Sequence, residues 1–225
     1  MALLSKISQV LSTDLVKEFK LKKTHVATEK SFLDAIKKCQ PVDQLGKKVH
    51  LSQNYLSAVI IEAIKTCPNI QNLNTLRCVI MYNTSHQAFW HLVEEQQRQH
   101  IPSHLFAATT HKISNYKSAF GTILLFEDQT ALQYLAKQWP LNAEHHCAWS
   151  AQYLGMASLA AWSTLADIGL GVNLLHYSQD HAALHKRFNL PMHWQLKSQL
   201  IFGSIEQPAP PSVSCIQSEH VQVLS

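Results

Sequence analysis

The sequence predicts a central β-sheet covered by helices on both faces. Three observations carry that expectation. Short apolar runs near 78–82, 119–126, 172–176 and 196–202 alternate with longer helical patterns. Hydrophobic residues make up 46 % of the 225 and charged residues 15 %, which suits one sizeable core and argues against disorder. The stretch from Ala148 to Ala166 carries no formal charge, so its helix should be buried on several sides.

The elements follow in order. Leu4, Ile7, Leu11, Leu15 and Phe19 stand at helical spacing and predict an amphipathic helix, and residues 21–28 read as a connection. Ser31 to Lys38 reads as a short helix ending before Pro41. Ser52 caps a clearer one, with Leu56, Val59, Ile60, Ala63 and Ile64 as its apolar stripe and Pro68 as its stop. Cys78 to Tyr82 is a buried strand, and Ser85 caps a helix to about Gln99. Residues 100–117, rich in His, Ser and Thr, read as a loop or lid with some helix. Ala119 to Phe126 is the strongest strand, and Asp128 opens a helix to Lys137. The long helix from Glu144 to Ile168 stops at Gly169, which can take the left-handed conformation after a helix end. Val172 to His176 and Leu196 to Phe202 are strand-like around a helix from Gln179 to Phe188. Residues 207–214 form an extended crossing segment, and Val221, Val223 and Leu224 give a last strand signal.

Composition excludes several function classes. The net charge is +4, but the basic residues come in scattered pairs such as Lys22-Lys23 and Lys186-Arg187, so no nucleic acid is expected. Five cysteines at irregular spacing, with no Cys-x-x-Cys, fit a reducing, cytoplasmic setting better than a disulfide framework. No signal peptide is evident near Lys6, and Ser150, Gln152, Ser158, Ser163 and Thr164 make the uncharged stretch too polar to cross a membrane.

Metal and nucleophile chemistry find little support. His181 and His185 are four apart on a predicted helix, but Ala182 stands where a zincin needs Glu, and no metal is expected. There is no Gly-x-Ser-x-Gly elbow, no Gly-x-Gly-x-x-Gly and no Walker loop. Two segments remain. One is the Asn-rich connection from Pro68 to Arg77, whose amides could read a heterocycle edge or simply form a turn. The other runs from Leu165 through Gly169-Leu170-Gly171 to His176-Tyr177. Its glycines either let backbone approach a planar ligand or only stop a helix.

At these segments the chain resembles the nitroreductase family, in particular its small fungal and bacterial branch. Pro68-Asn69-Ile70-Gln71-Asn72-Leu73-Asn74-Thr75-Leu76-Arg77 is similar to the branch's Pro-Ser-x-Phe-Asn-Ser-Gln-Ser-x-Arg loop. Phe120 to Asp128, Trp149-Ser150, Gly155-Met156-Ala157, Trp162, Gly169 to Tyr177 and Phe202-Gly203-Ser204 follow the rest of its pattern, over about residues 31–224. The resemblance implies an α+β fold: a three-layer α/β/α sandwich with a central mixed sheet and a domain-swapped C-terminal strand. Residues 1–28 would be an N-terminal helical extension and 29–225 the nitroreductase-like domain. It implies a homodimer with FMN at the subunit interface, the Pro68–Asn74 loop coming from one protomer and much of the rest from the other. NAD(P)H would reduce the flavin, which passes electrons to a nitroaromatic, quinone or similar small-molecule acceptor. The cofactor-binding residues it implies are Lys37, Lys38, Pro68, Asn69, Asn72, Asn74, Gly169, Leu170, Gly171, His176 and His220.

The chain departs from the family at the flavin phosphate. The family's Arg-Arg-Ser/Thr falls on Cys39-Gln40-Pro41, with Lys37 and Lys38 just before it, and His220 replaces an Arg of the last strand. A hydrogen bond to a charged group contributes about 1.5–3 kcal/mol. Losing two or three weakens binding by roughly 10³-fold or more. The alternative reading is therefore a nitroreductase-fold homologue that has lost tight FMN binding and serves as a ligand-binding or scaffold protein.

Overall fold

The computed structural model describes residues 32–69, 73–177, 180–210 and 220–224. The chain divides into two units, 1–35 and 36–225, and the sheet lies within the second. The N-terminal helix expected within 1–28 lies outside the described residues.

Helix α1 (Phe32–Lys37) leads to a short strand β1 (Leu45–Gly46) and then to α2 (Gln53–Thr66). Ser52 caps α2 as expected, its hydroxyl accepting from the Tyr55 amide at 3.2 Å. Strand β2 (Leu76–Tyr82) runs directly into α3 (Asn83–His100). The expected cap at Ser85 is wrong. Asn83 turns the chain in the left-handed region at φ 48°, which Asn tolerates, and Ser85 lies inside the helix.

The segment expected as a loop or lid with some helix is almost entirely helix α4 (Ser103–Lys117). Its polar surface hid an apolar side on which Ile113 and Tyr116 are buried. Packing on α3 includes the Arg98 guanidinium over the Phe106 ring at 4.6 Å, so tertiary contact overrides local propensity. Strand β3 (Gly121–Asp128) follows, then α5 (Gln129–Gln138), whose cap is Asp128, as expected. A 3₁₀ turn (Pro140–His145) enters the long α6 (His146–Asp167), and Gly169 ends it at φ 87°. Strand β4 (Gly171–Leu175), helix α7 (His181–Phe188) and strand β5 (Trp194–Ile205) complete the domain.

The sheet runs β2-β3-β5, with β4 and β1 sharing the far edge of β5. All eight residues of β3 are buried, because helices cover both faces. Ile123, Leu125, Leu200 and Phe202 pack on one side with Leu56, Ile60 and Leu154 of α2 and α6. Leu124, Phe126 and Ile201 pack on the other with Phe89, Trp90, Ile113 and Leu184 of α3, α4 and α7. This alternation makes the three layers.

The expected mixed sheet is corrected: every ladder between the described strands is antiparallel, and parallel pairing is confined to an isolated Pro41–Val172 bridge. Residues 221–224, expected to cross to a partner's sheet, pair with no described strand of their own chain, and Val223 and Leu224 are each 90 % exposed.

Candidate functional site

The residues singled out in the sequence fall at two ends of the sheet. Towards the Asp128 end of β3 stand Pro68, Asn69, Asn74 and His176. Towards the Gly121 end stand Lys37, Lys38, Gly169, Leu170 and Gly171. Strand β4 separates His176 from Gly171 by five residues, on the order of 16 Å. Gly171 and His176 therefore stand too far apart to touch the same ligand atom.

At the first end, the Asn69 side chain closes its own loop. Its Oδ1 accepts from the Leu73 amide and its Nδ2 donates to the Leu73 carbonyl, both at 3.0 Å. Pro68 is exposed, and Asn72 lies outside the described residues. Asn74 is exposed, with Oδ1 accepting from Arg77 Nη1 at 3.1 Å. Arg77 also reaches the buried Asp128 carboxylate at 2.7 Å, which ties the loop to the cap of α5. Ser150 of α6 donates to Thr75 at 2.8 Å beneath it. The loop is thus held on three sides while Asn74 itself stays exposed.

His176 lines a cavity of about 360 Å³ between the first half of α6 and the ends of β3, β4 and β5. Ala151, Leu154, Gly155 and Leu174 supply apolar walls. Glu127, Gln129, Gln195 and Lys197 supply a connected polar side. Lys197 Nζ lies 2.9 Å from Glu127 Oε2, Gln129 Nε2 donates to the same oxygen at 3.0 Å, and also to Gln195 Oε1 at 3.1 Å. Ser198 lines the cavity, and its buried hydroxyl has no hydrogen-bond partner among the described residues. Cys147 stands exposed at its edge.

Sequence reasoning missed this polar side. Its signals were present: Glu127 ends an otherwise apolar strand, and Lys197, Ser198 and Gln199 interrupt another. A second cavity, of about 550 Å³, lies around Asn74, Arg77, Tyr134, Trp139 and His193.

At the opposite end, Lys37 and Lys38 are exposed at the close of α1. Lys38 Nζ lies 2.7 Å from Asp167 Oδ1, the last residue of α6, and Val42 donates to the Val172 carbonyl at 3.0 Å. The glycines serve the fold here. Gly169 ends the helix with open space around it, and a Cβ on Gly171 would sit 2.6 Å from Leu45 and 3.2 Å from Val42. Leu170 is buried in the core, so its side chain is not a ligand group. Burial raises the Cys39 thiol above its ordinary pKa, so it supplies no thiolate and no charge. His220 is exposed. No cluster of three metal-ligating side chains occurs among the described residues.

Residues 56–204, well over half of the chain, match the profile of the nitroreductase family. HBN1 of Saccharomyces cerevisiae, described as a nitroreductase, is 27 % identical over 173 residues, 76 % of this chain and 84 % of that protein. Nitroreductase FRM2 of the same yeast is 27 % identical over 140 residues, 62 % and 69 % of the two chains. Among solved structures, nitroreductase CinD from Lactococcus lactis in complex with chloramphenicol superposes with a TM-score of 0.78 at 32 % identity, over 87 % of this chain and all of that one. A nitroreductase from Exiguobacterium sibiricum in complex with FMN shares the fold, with a TM-score of 0.64 at 13 % identity over 88 % and 99 % of the two chains. On the extent of the profile match and the CinD superposition, the chain belongs to the nitroreductase family.

Proposed function

We propose that this chain is a flavin-dependent NAD(P)H oxidoreductase that binds FMN in a homodimer and reduces nitroaromatic, quinone or similar acceptors. The observation that carries the reading is the cavity beside His176, with apolar walls, a connected polar side and the unpartnered, buried Ser198 hydroxyl. A planar heterocycle with an amide-like edge suits such a lining. CinD is seen with 4-nitrophenol as well as chloramphenicol, and the Exiguobacterium relative with FMN, which supports the same ligand classes here.

The residues fit the cofactor, with a different phosphate end. Lys37 and Lys38 replace guanidinium groups by ammonium groups. The Lys38–Asp167 pair is about 40 % exposed on both sides, so it is weak enough to open towards a phosphate. The flavin, when bound, accepts hydride from the nicotinamide and hands electrons to the acceptor. The chain's part is to bind, orient and dry the ring. Leu154, Leu174 and Ala151 exclude water, while Gln195, Lys197 and His176 present polar groups to its edge.

The two groups of site residues lie at opposite ends of one chain's sheet, which suits a site shared by two protomers. The exposed small residues Ala148, Ala151 and Gly155 of α6 offer a face for close helix approach, and Val221, Val223 and Leu224 are apolar and exposed. We place the enzyme in the cytoplasm. Cys67, Cys78 and Cys147 carry free thiols, and no described helix is long and apolar enough to cross a membrane.

The test is a titration with FMN followed by fluorescence quenching, an NADH and NADPH oxidation assay with a nitroaromatic acceptor, and light scattering on the same sample. Quenching, turnover and a dimer are expected. A monomer would overturn the shared site. Absence of both quenching and turnover at high FMN would leave the scaffold reading, which the uncharged Cys39 and Gln40 favour.

A further inference from the structure

We propose that Asp167 limits how strongly this chain prefers FMN over riboflavin, because it holds the Lys38 ammonium and adds a negative charge beside the phosphate. The inference rests on the proposed placement of the flavin phosphate at Lys37 and Lys38. It goes further by naming a residue that sets which flavin form is bound.

The basis is electrostatic. Lys38 Nζ and Asp167 Oδ1 are 2.7 Å apart, a full charge-assisted contact. Asp167 is the last residue of a 22-residue helix, so its carboxylate adds to the negative end of that helix's dipole. The Lys38 ammonium lies against both. A phosphate arriving here meets Lys37, but also a second cation already engaged, a carboxylate beside it and the carbonyl end of a long helix. Cys39 and Gln40 carry no charge to offset them, and burial keeps the Cys39 thiol protonated.

Riboflavin has the same ring and ribityl chain without the phosphate, so it is indifferent to this end of the site. The natural chain should therefore bind FMN at most several-fold more tightly than riboflavin. Removing the Asp167 charge releases Lys38 to the phosphate and deletes a repulsion in one step. Both side chains are partly exposed, so the effect falls with added salt.

The experiment titrates FMN and riboflavin into the full chain, read by fluorescence quenching at low and moderate salt. The variants are Asp167→Asn, Asp167→Ser and Lys38→Ala. Expected is about a tenfold gain in FMN affinity for both Asp167 variants, equivalent to ~1.4 kcal/mol, with riboflavin unchanged. Lys38→Ala should weaken FMN alone. If the Asp167 variants weaken FMN, or shift both flavins equally, Asp167 positions Lys38 or serves the fold, and the inference falls. If Lys38→Ala leaves the FMN-to-riboflavin ratio unchanged, the phosphate lies elsewhere, and the inference falls with its placement. If neither flavin binds any variant, the flavin reading itself fails, and the inference with it.

Discussion

The two ends of the sheet handle polar groups in opposite ways. At the Asp128 end the charges are inside: Glu127 and Asp128 are each 3 % exposed and are paired with Lys197 and Arg77. At the Gly121 end the Lys38–Asp167 and Lys48–Glu206 pairs are outside, Lys117–Glu94 is partly buried, and the fully buried polar groups are neutral. There His86, 1 % exposed, meets Thr122 Oγ1 at 2.8 Å, and the same oxygen accepts from the Trp90 indole at 2.9 Å. The difference teaches where each end is fragile. Buried ion pairs fail when a partner is removed, and buried neutral groups fail when they are forced to charge.

The largest effect is expected from Arg77→Ala. It strands the Asp128 carboxylate and frees the Asn74 loop from its guanidinium clamp. Asp128 keeps the amides of Thr130 and Ala131, and Arg77 is a quarter exposed, so the loss is less than for a fully buried pair. A destabilisation of about 2–3 kcal/mol is expected in urea unfolding. Asp167→Asn at the other end should cost less than about 1 kcal/mol. Equal losses from the two variants would erase the distinction between the ends.

Acid should attack the other end through His86. Burial is the main cause that lowers its pKa from 6.5 to about 4; the backbone hydrogen bond to Lys117 opposes it. Because the Lys117 carbonyl at 3.3 Å can only accept, the ring proton sits on Nε2, so His86 Nδ1 accepts the Thr122 hydroxyl proton while the Thr122 oxygen accepts from Trp90. This is the neutral tautomer. Between pH 6.5 and 4 the unfolded chain binds more protons than the folded one, so stability falls as pH falls through that window. On the order of 2–3 kcal/mol is at stake. Urea midpoints measured from pH 7 to 4.5 should show it, and His86→Gln should flatten that part of the profile. An unchanged slope in the variant would assign the acid sensitivity to other groups.

Legibility in the sequence followed the same division. Apolar periodicity revealed the helices and strands that fill the core, and Ser52, Asp128 and Gly169 marked their ends because each acts through its own backbone. Helix α4 was hidden, since the contacts that stabilise it come from α3, far from its own turn. The site was half legible. Asn74 and His176 stand out in their segments, whereas Glu127, Gln195, Lys197 and Ser198 gain meaning only when β3 and β5 pair. Gly171 was open to two readings because close approach of backbone to ligand and of backbone to core require the same missing Cβ, and its contact with Leu45, 126 residues earlier in the chain, is visible only in the fold.

The smallest effect should come from Lys48→Ala. Lys48 Nζ lies 3.3 Å from Glu206 Oε2, but its side chain is 82 % exposed. Glu206 has a lowered pKa chiefly because the Ser204 hydroxyl donates to it, at 2.9 Å, and only then because of Lys48. The hydroxyl survives the substitution, and water replaces the ammonium at little cost. The Lys48 backbone amide still donates to Ser204 at 3.1 Å, so the pairing of β1 with β5 keeps its side-chain support. The urea midpoint should therefore not move measurably between low and moderate salt. A shift comparable to that of Arg77→Ala would mean that an exposed ion pair at this end holds β1 on the sheet, and that charge outside the core matters here as much as charge within it.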